Sequence, residues 1–162
     1  MRIGVVSDTH NNLKNCQKIV ELFNQAGVER VIHTGDITQA KTLDVFAHLD
    51  APMWGVFGNN DQGERDSLDK AIIHLGFEII EPPLSLYWAE KRVVVVHDPL
   101  ELALVNTADY DVILHGHTHL RTIEYDGDQL TFNPGECAGH MPGRNSIGIL
   151  DLNELRTEIL YF

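Results

Sequence analysis

Asp111-Val112-Ile113-Leu114-His115-Gly116-His117-Thr118-His119 is the stretch from which the rest of the chain is read. Its first part is a short apolar run of the kind that makes a buried strand. Its second part is a loop dense in imidazole. In an extended segment residues two apart point the same way, so His117 and His119 are expected to present their rings to one side. Gly116 is expected to let the backbone turn sharply just before them. Imidazole is the commonest metal ligand among side chains. A single His-x-His pair is weak evidence, so the question is whether other strands end in the same manner.

They do. Arg2 to Ser7 reads as a buried strand running into Asp8-Thr9-His10. Asn12 to Ala26 carries Leu13, Ile19, Val20, Leu22 and Phe23 on one side, the pattern of an amphipathic helix, closed by Gly27. Arg30 to His33 is a second strand leading to Thr34-Gly35-Asp36, and Thr42 to Leu49 a second helix. Pro52 to Phe57 is a third strand, followed by Gly58-Asn59-Asn60-Asp61. This alternation predicts parallel α/β units, whose sites gather at the carboxyl ends of the strands. After about residue 76 the rhythm changes. Phe77 to Ile80, Leu84 to Trp88 and Arg92 to Val96 are closely spaced strands, the last ending in His97, with turns at Pro82-Pro83 and Ala89-Glu90-Lys91. Pro99 to Asn106 predicts a short helix with Leu102 and Val105 inward. Beyond the histidine loop, Arg121 to Tyr125 and Leu130 to Phe132 form a hairpin around Asp126-Gly127-Asp128. Asn133 to Gly139 is a loop, and Ser146 to Leu152 pairs with Leu155 to Tyr161 in a last hairpin. The expectation is a single domain over residues 1–162, with one mixed sheet or two packed sheets flanked by helices.

Composition narrows the function classes. A chain of 162 residues buries roughly 70% of its unfolded surface and needs no staples. Its 43% hydrophobic and 22% charged content is ordinary for a soluble fold. The net charge of −12 repels nucleic-acid backbones and acidic membranes at a distance. No apolar stretch has the length of a membrane span, and Met1-Arg2-Ile3-Gly4 opens directly into a strand without a leader pattern. Cys16 and Cys137 are distant and form no Cys-x-x-Cys pair, which fits a reducing cytoplasm.

The strand ends form a set: Asp8 and His10, Asp36, Asn59, His97, then His117 and His119. Each alone has an ordinary explanation as a turn residue, a cap or a satisfied histidine. Together, on one edge of a sheet, they are expected to converge. Nitrogen and oxygen ligands without thiolate suit manganese, iron, zinc, nickel or cobalt. Seven ligands exceed the needs of one ion and suit two, roughly 3.5–4 Å apart and sharing a carboxylate. Such a pair makes hydroxide from bound water near neutral pH and offsets charge on a phosphoryl group in flight. Only Asp8 and Asp36 carry formal charge, so two divalent ions would leave the site locally positive.

In order, Asp8-x-His10, Gly35-Asp36, Gly58-Asn59-Asn60-Asp61, His97 and Gly116-His117-x-His119 resemble the motif set of the calcineurin-like metallophosphoesterases. Asn133-Pro134-Gly135-Glu136 is similar to an element of that family's small, uncapped prokaryotic phosphodiesterase branch. The resemblance runs from residue 5 to about 145. It implies a four-layer α-β-β-α sandwich with two mixed sheets between helices. It implies two divalent ions per chain, manganese foremost, with nickel, iron, zinc or cobalt as alternatives. Asp8, His10, Asp36 and His119 would hold one ion. Asp36, Asn59, His97 and His117 would hold the other. The implied activity is hydrolysis of a small phosphodiester by a metal-bound hydroxide.

Two departures stand out. Many members carry histidine where this chain has Asn60, and that histidine protonates the leaving oxygen or stabilises the transition state. Asn60 is thus the expected catalytic position, able to donate a hydrogen bond but not a proton. It predicts a slow enzyme or a substrate with a good leaving group. Asp98 stands where glycine often follows the histidine; it caps the turn before Pro99 or orients a metal ligand, and capping is preferred. His33 and His115 read as buried structural histidines. Arg144 reads equally as a phosphate contact or an exposed loop arginine. The expected site walls are Gln62 to Asp69, Pro99 to Val105 and Asn133 to Arg144. The alternative function is a protein-binding scaffold of the same fold, as in the retromer scaffold subunit. A grip on nucleic acid is not expected, since basic patches are lacking. A homodimer is the expected assembly.

Overall fold

In the computed structural model, which describes residues 1–162, the apolar runs sort into two sheets. The first part of the chain gives β1 (Arg2–Val6), α1 (Leu13–Ala26), β2 (Arg30–His33), α2 (Ala40–Phe46), β3 (Met53–Val56), α3 (Arg65–Leu75) and β4 (Glu78–Ile80). The second part gives β5 (Leu84–Trp88), β6 (Lys91–Val95), β7 (Val112–Leu114), β8 (Thr122–Asp126), β9 (Gln129–Asn133), β10 (Ser146–Asp151) and β11 (Arg156–Tyr161). Short 3₁₀ helices occupy Gln62–Glu64, Pro99–Leu104 and Thr107–Asp109.

The six-stranded sheet has the order β11-β10-β1-β2-β3-β4, with β1 to β4 parallel and the final hairpin added antiparallel. The five-stranded sheet has the order β5-β6-β7-β9-β8, with β6, β7 and β9 parallel inside two antiparallel edges. Strand alternation assigns the side chains to layers. Ile3, Val5, Ile32 and Val56 face Val93, Val95, Val112, Leu114 and Phe132 in the core between the sheets. Val6 and Val31 face the other way, against Cys16, Ile19, Phe23, Leu43, Phe46 and Leu68 of the three α-helices. Val94, Val96 and Ile113 lie on the outer face of the second sheet, under Leu102, Val105 and Tyr110 of the 3₁₀ segment. The layers are therefore helix, sheet, sheet, helix, with the last layer thin.

Local chemistry sets the helix ends. The Asn12 side chain accepts the Asn15 N–H, and Gly27 closes α1 in the left-handed region at φ 62°. At Pro99 the Asp98 carboxylate accepts the Leu100 N–H and Glu101 returns a bond to the Asp98 N–H, a complete capping box. The supposed wall Gln62 to Asp69 is regular: it runs from the 3₁₀ turn Gln62–Glu64 into helix α3 (Arg65–Leu75). Its first turn has no side-chain cap, so the usual start signal is missing. Leu68, Ala71, Ile72 and Leu75 nevertheless pack inward at helical spacing.

Candidate metal centre

Five strand ends meet at one rim, three from the first sheet (β1, β2, β3) and two from the second (β6, β7). The expectation of one sheet edge is corrected: the centre straddles the gap between two sheets. A second correction concerns the histidine loop. His117 and His119 are not in extended backbone; both sit in the left-handed region, at φ 65° and 57°. Their rings consequently diverge to opposite sides of the centre. Asp8, His10 and Asp36 are left-handed as well, at φ 52°, 42° and 59°. Such conformations are uncommon outside glycine and here they aim short side chains back over the strand ends. Gly116 itself keeps an ordinary φ, so it does not supply the turn. Its role is space: a Cβ there would stand 2.0 Å from the Ser7 Oγ. Gly58 is equally tight, with a Cβ position 2.2 Å from Asp36 Oδ1.

The first group is Asp8, His10, Asp36 and His119, whose ligand atoms lie within 4.8 Å of one another. His119 Nε2 is 3.4 Å from Asp8 Oδ1, and His10 Nε2 is 3.2 Å from Asp36 Oδ2. Asp8 is buried; its Oδ2 accepts from the Ser7 hydroxyl and the His117 N–H. Burial pushes the Asp8 carboxyl above its ordinary range, against the pull of Ser7, His97 and His119. Burial likewise lowers His10, against Asp36 and Asp8. The second group is Asp36, Asn59, His97 and His117. His97 Nε2 is 3.0 Å from Asn59 Oδ1 and 3.5 Å from Asp36 Oδ1. His117 Nδ1 is 3.0 Å from Asn59 Oδ1 and 3.3 Å from His97 Nε2. All seven expected ligands come together, with Asp36 between the groups.

The donor chemistry fits cations. Asp8 Oδ1 and His10 Nε2 are buried without any hydrogen-bond partner, an arrangement that costs free energy unless something positive satisfies it. His97 Nδ1 lies 2.8 Å from the Thr34 carbonyl and must donate to it, which leaves Nε2 as the lone-pair side. His117 turns Nε2 toward Asp98 Oδ2 at 3.5 Å, and His119 turns Nδ1 toward Glu136 Oε2 at 3.7 Å. At His97 the inward Nε2 is thus a lone pair facing the Asn59 Oδ1 lone pairs. Carboxylates and carbonyls behind metal-binding imidazoles are the usual way to fix their tautomer.

Several supporting residues carry no role in the sequence reading. Asp61 is buried and accepts the N–H groups of Asp36, Gly58 and Thr38 at 3.1, 2.7 and 2.6 Å, tying the β2 and β3 loops together. Glu136, also buried, accepts from Ala138, His140 and Met141 while standing behind His119. Glu101 accepts the His97 and Asp98 N–H groups. Asn133 donates to the Gly116 carbonyl and the Thr118 hydroxyl, clamping the histidine loop. Glu136 and Asn133 stood in the quoted Asn133-to-Glu136 element, which was the available signal.

The remaining candidates resolve individually. Asn60 donates through its backbone N–H to Asp36 Oδ1 at 3.0 Å and through its carboxamide to Asp36 Oδ2 at 2.8 Å. Asp98 serves both readings, capping through Oδ1 and facing His117 through Oδ2. His33 is buried, accepts the Gly35 N–H on Nδ1 and meets the Thr9 hydroxyl on Nε2; burial lowers its pKa to about 3. His115 is buried beside Gly116 and Asn133 and is lowered for the same reason. Cys16 and Cys137 are free and buried, with burial pushing Cys16 up to about 12 and Cys137 well above the ordinary thiol value, so neither is an activated nucleophile. Arg144 is exposed and lines a pocket next to His119.

The calcineurin-like phosphoesterase superfamily domain matches residues 1–155. The chain is 40% identical over 156 residues to phosphodiesterase MJ0936 of Methanocaldococcus jannaschii, covering 93% of each. The solved structure of an archaeal phosphodiesterase superposes with a TM-score of 0.90 at 36% identity, covering 100% of both chains. Vps29 of Entamoeba histolytica, solved with zinc, superposes at 0.70 with 18% identity over 99% of each chain, a likeness of fold alone.

Proposed function

The chain belongs to the calcineurin-like phosphoesterase superfamily, and from that premise we propose that it is a phosphodiesterase working with two divalent ions. The observation that carries the reading is the lone-pair cage: buried Asp8 Oδ1 and His10 Nε2 without partners, beside His97 and His117 nitrogens facing Asn59 Oδ1. Asp8, His10, Asp36 and His119 would hold the first ion and Asp36, Asn59, His97 and His117 the second, with manganese foremost. Ions bound there would supply a water of lowered pKa and positive charge for the phosphate oxygens.

The protein's own residues then position and exclude. Asp36 sits between the groups, held at both oxygens by Asn60 and at its N–H by Asp61. Thr34, Asp98 and Glu136 keep the imidazoles of His97, His117 and His119 turned inward. Asn60 acts through Asp36 and brings no proton of its own to the leaving oxygen. A diester with a stable leaving group fits that constraint. The scaffold reading has no use for unpartnered lone pairs at this rim. No helix is long and apolar enough to cross a membrane. The free cysteines support a cytoplasmic setting.

The test is purified protein with added manganese, nickel, cobalt or zinc, assayed on bis(p-nitrophenyl) phosphate. Turnover that disappears with a chelator is expected. Absence of turnover above background with every one of these metals removes the reading.

A further inference from the structure

The two flanks of the centre differ in size and charge. Beside the second group lies a pocket of about 170 Å³ whose walls include Asp98, Glu101 and Glu81, the last paired with Arg65. A pocket of about 470 Å³ shares His119 with the first group and is lined also by Arg121, Arg144 and Tyr161. In a chain of net charge −12, two guanidiniums in one hollow are conspicuous. Arg2, Arg65 and Arg156 pair with carboxylates, Arg92 reaches the Asp109 carbonyl and Arg30 lies over the Trp54 and Trp88 rings, each outside this hollow. Arg121 and Arg144 pair with none; Arg121 instead stacks 5.8 Å from the centroid of the exposed Tyr161 ring.

We infer that this pocket receives a second phosphate group of the substrate, so that the diester cleaved best carries another phosphate close to the scissile one. The inference rests on the phosphodiesterase reading. A scissile phosphate gripped between the two ligand groups has two directions for its substituents. The acidic, narrow flank repels an anion; the wide flank offers two planar forks suited to phosphate oxygens. Because the protein's far field is negative, recognition of an anionic arm must come from such short-range contacts. The hollow has the size of a small-molecule site. It suits a small phosphorylated diester rather than a long strand, which would trail along an acidic surface.

The experiment compares the dinucleotides ApA and its 5′-phosphorylated form, pApA, which differ only by the second phosphate. Dissociation constants are measured by calorimetry on the protein without added metal, and kcat/KM with manganese. Each measure is expected to favour pApA by about tenfold or more. The preference should fall to near one in Arg121→Ala/Arg144→Ala and partly return in Arg121→Lys/Arg144→Lys. Equal values for the two compounds on the unaltered protein, or a preference that survives the double alanine change, overturn the inference. A long 5′-phosphorylated oligonucleotide preferred over pApA overturns the small-diester assignment. If bis(p-nitrophenyl) phosphate is not turned over at all, the hydrolase reading fails, while the calorimetric comparison still decides the subsite.

Discussion

On one side of Asp36 stand Asp8, His10 and His119; on the other stand Asn59, His97 and His117. The first side adds a second carboxylate, and Asp8 is fully buried. The second side adds no further carboxylate. Glu136, almost wholly buried, backs His119, whereas Asp98, which backs His117, keeps 30% of its side chain in solvent. The first side opens onto arginines and the second onto acids. Two halves built around one shared residue are therefore unequal in charge, in rigidity and in what they face. A divalent ion gains more from two carboxylates than from one, so metal should bind in two steps, tight on the Asp8 side and weaker on the Asn59 side.

The largest effect should follow from the residue common to both. Asp36→Asn removes the shared charge, and activity on an activated diester is expected to fall by about 10³-fold or more. Metal content after dialysis should drop on both sides. A variant that keeps one full equivalent of tightly held metal would show that Asp36 is not shared, and the comparison would break there.

The backing carboxylates test the inequality itself. Glu136→Gln and Asp98→Asn each leave the ligands in place and are expected to weaken metal binding by about 10–100-fold. Glu136→Gln should act on the tight step in a manganese titration, and Asp98→Asn on the weak one. Asparagine keeps an acceptor for the Leu100 N–H, so the cap at Pro99 is preserved. If both variants shift the same step, the halves are not independent.

His33 asks whether the halves stand or fall together. Its ring joins Thr9, between Asp8 and His10, to Gly35, beside Asp36. Burial holds its pKa at about 3 in the folded protein, against 6.5 in the unfolded chain. As pH falls below 6.5 the unfolded chain takes a proton that the folded one refuses. Stability is thus complete above that pH and is lost toward pH 3, at up to about 1.4 kcal/mol per unit. Asp8 and Asp61, raised by burial, act in the opposite sense, since their contribution is lost as pH rises through their folded values. Urea denaturation of the metal-free protein at pH 7 and pH 5 should show a steep acid loss that is shallower in His33→Gln. Equal slopes would show that the ring does not bind its two loops as one unit.

How much of this was legible follows from the distance over which each feature acts. The strands and the seven converging side chains declare themselves locally, because a polar residue directly after an apolar run marks the carboxyl end of a buried strand. The divergence of His117 and His119 depends on positive φ values at each, which the His-x-His spacing does not encode. The sharing of the rim between two sheets depends on the chain leaving the first sheet after β4, building the second from β5 to β9 and rejoining the first only at β10. Asp61 works by receiving the N–H groups of Asp36 and Thr38 from a distant loop, so nothing near it in sequence announces it, whereas Glu101 and Glu136 accept from neighbours within five residues. Arg121 gains meaning only once β8, β11 and the histidine loop surround one hollow.

The smallest expected effect is at Asn60, next to Asn59 on the weaker side. Its carboxamide lies 2.8 Å from Asp36 Oδ2, so the side chain steadies the shared carboxylate and has no proton to give. A p-nitrophenolate leaves without protonation, and an alkoxide does not. Asn60→His places an acid near the second group at the cost of one bond to Asp36; the bond from the backbone N–H at 3.0 Å remains. General acid help reaches about 10²–10⁴-fold where the donor is well placed. With one support of Asp36 lost, a rise of about tenfold on an alkyl phosphomonoester is the expected outcome, with activity on bis(p-nitrophenyl) phosphate flat or reduced. The ratio of the two substrates separates proton supply from any general change in metal loading, which would move both together. A folded, metal-loaded variant with an unchanged ratio would mean that the leaving group departs toward the arginine side, out of reach of residue 60, and the inequality of the halves would extend to the chemical step.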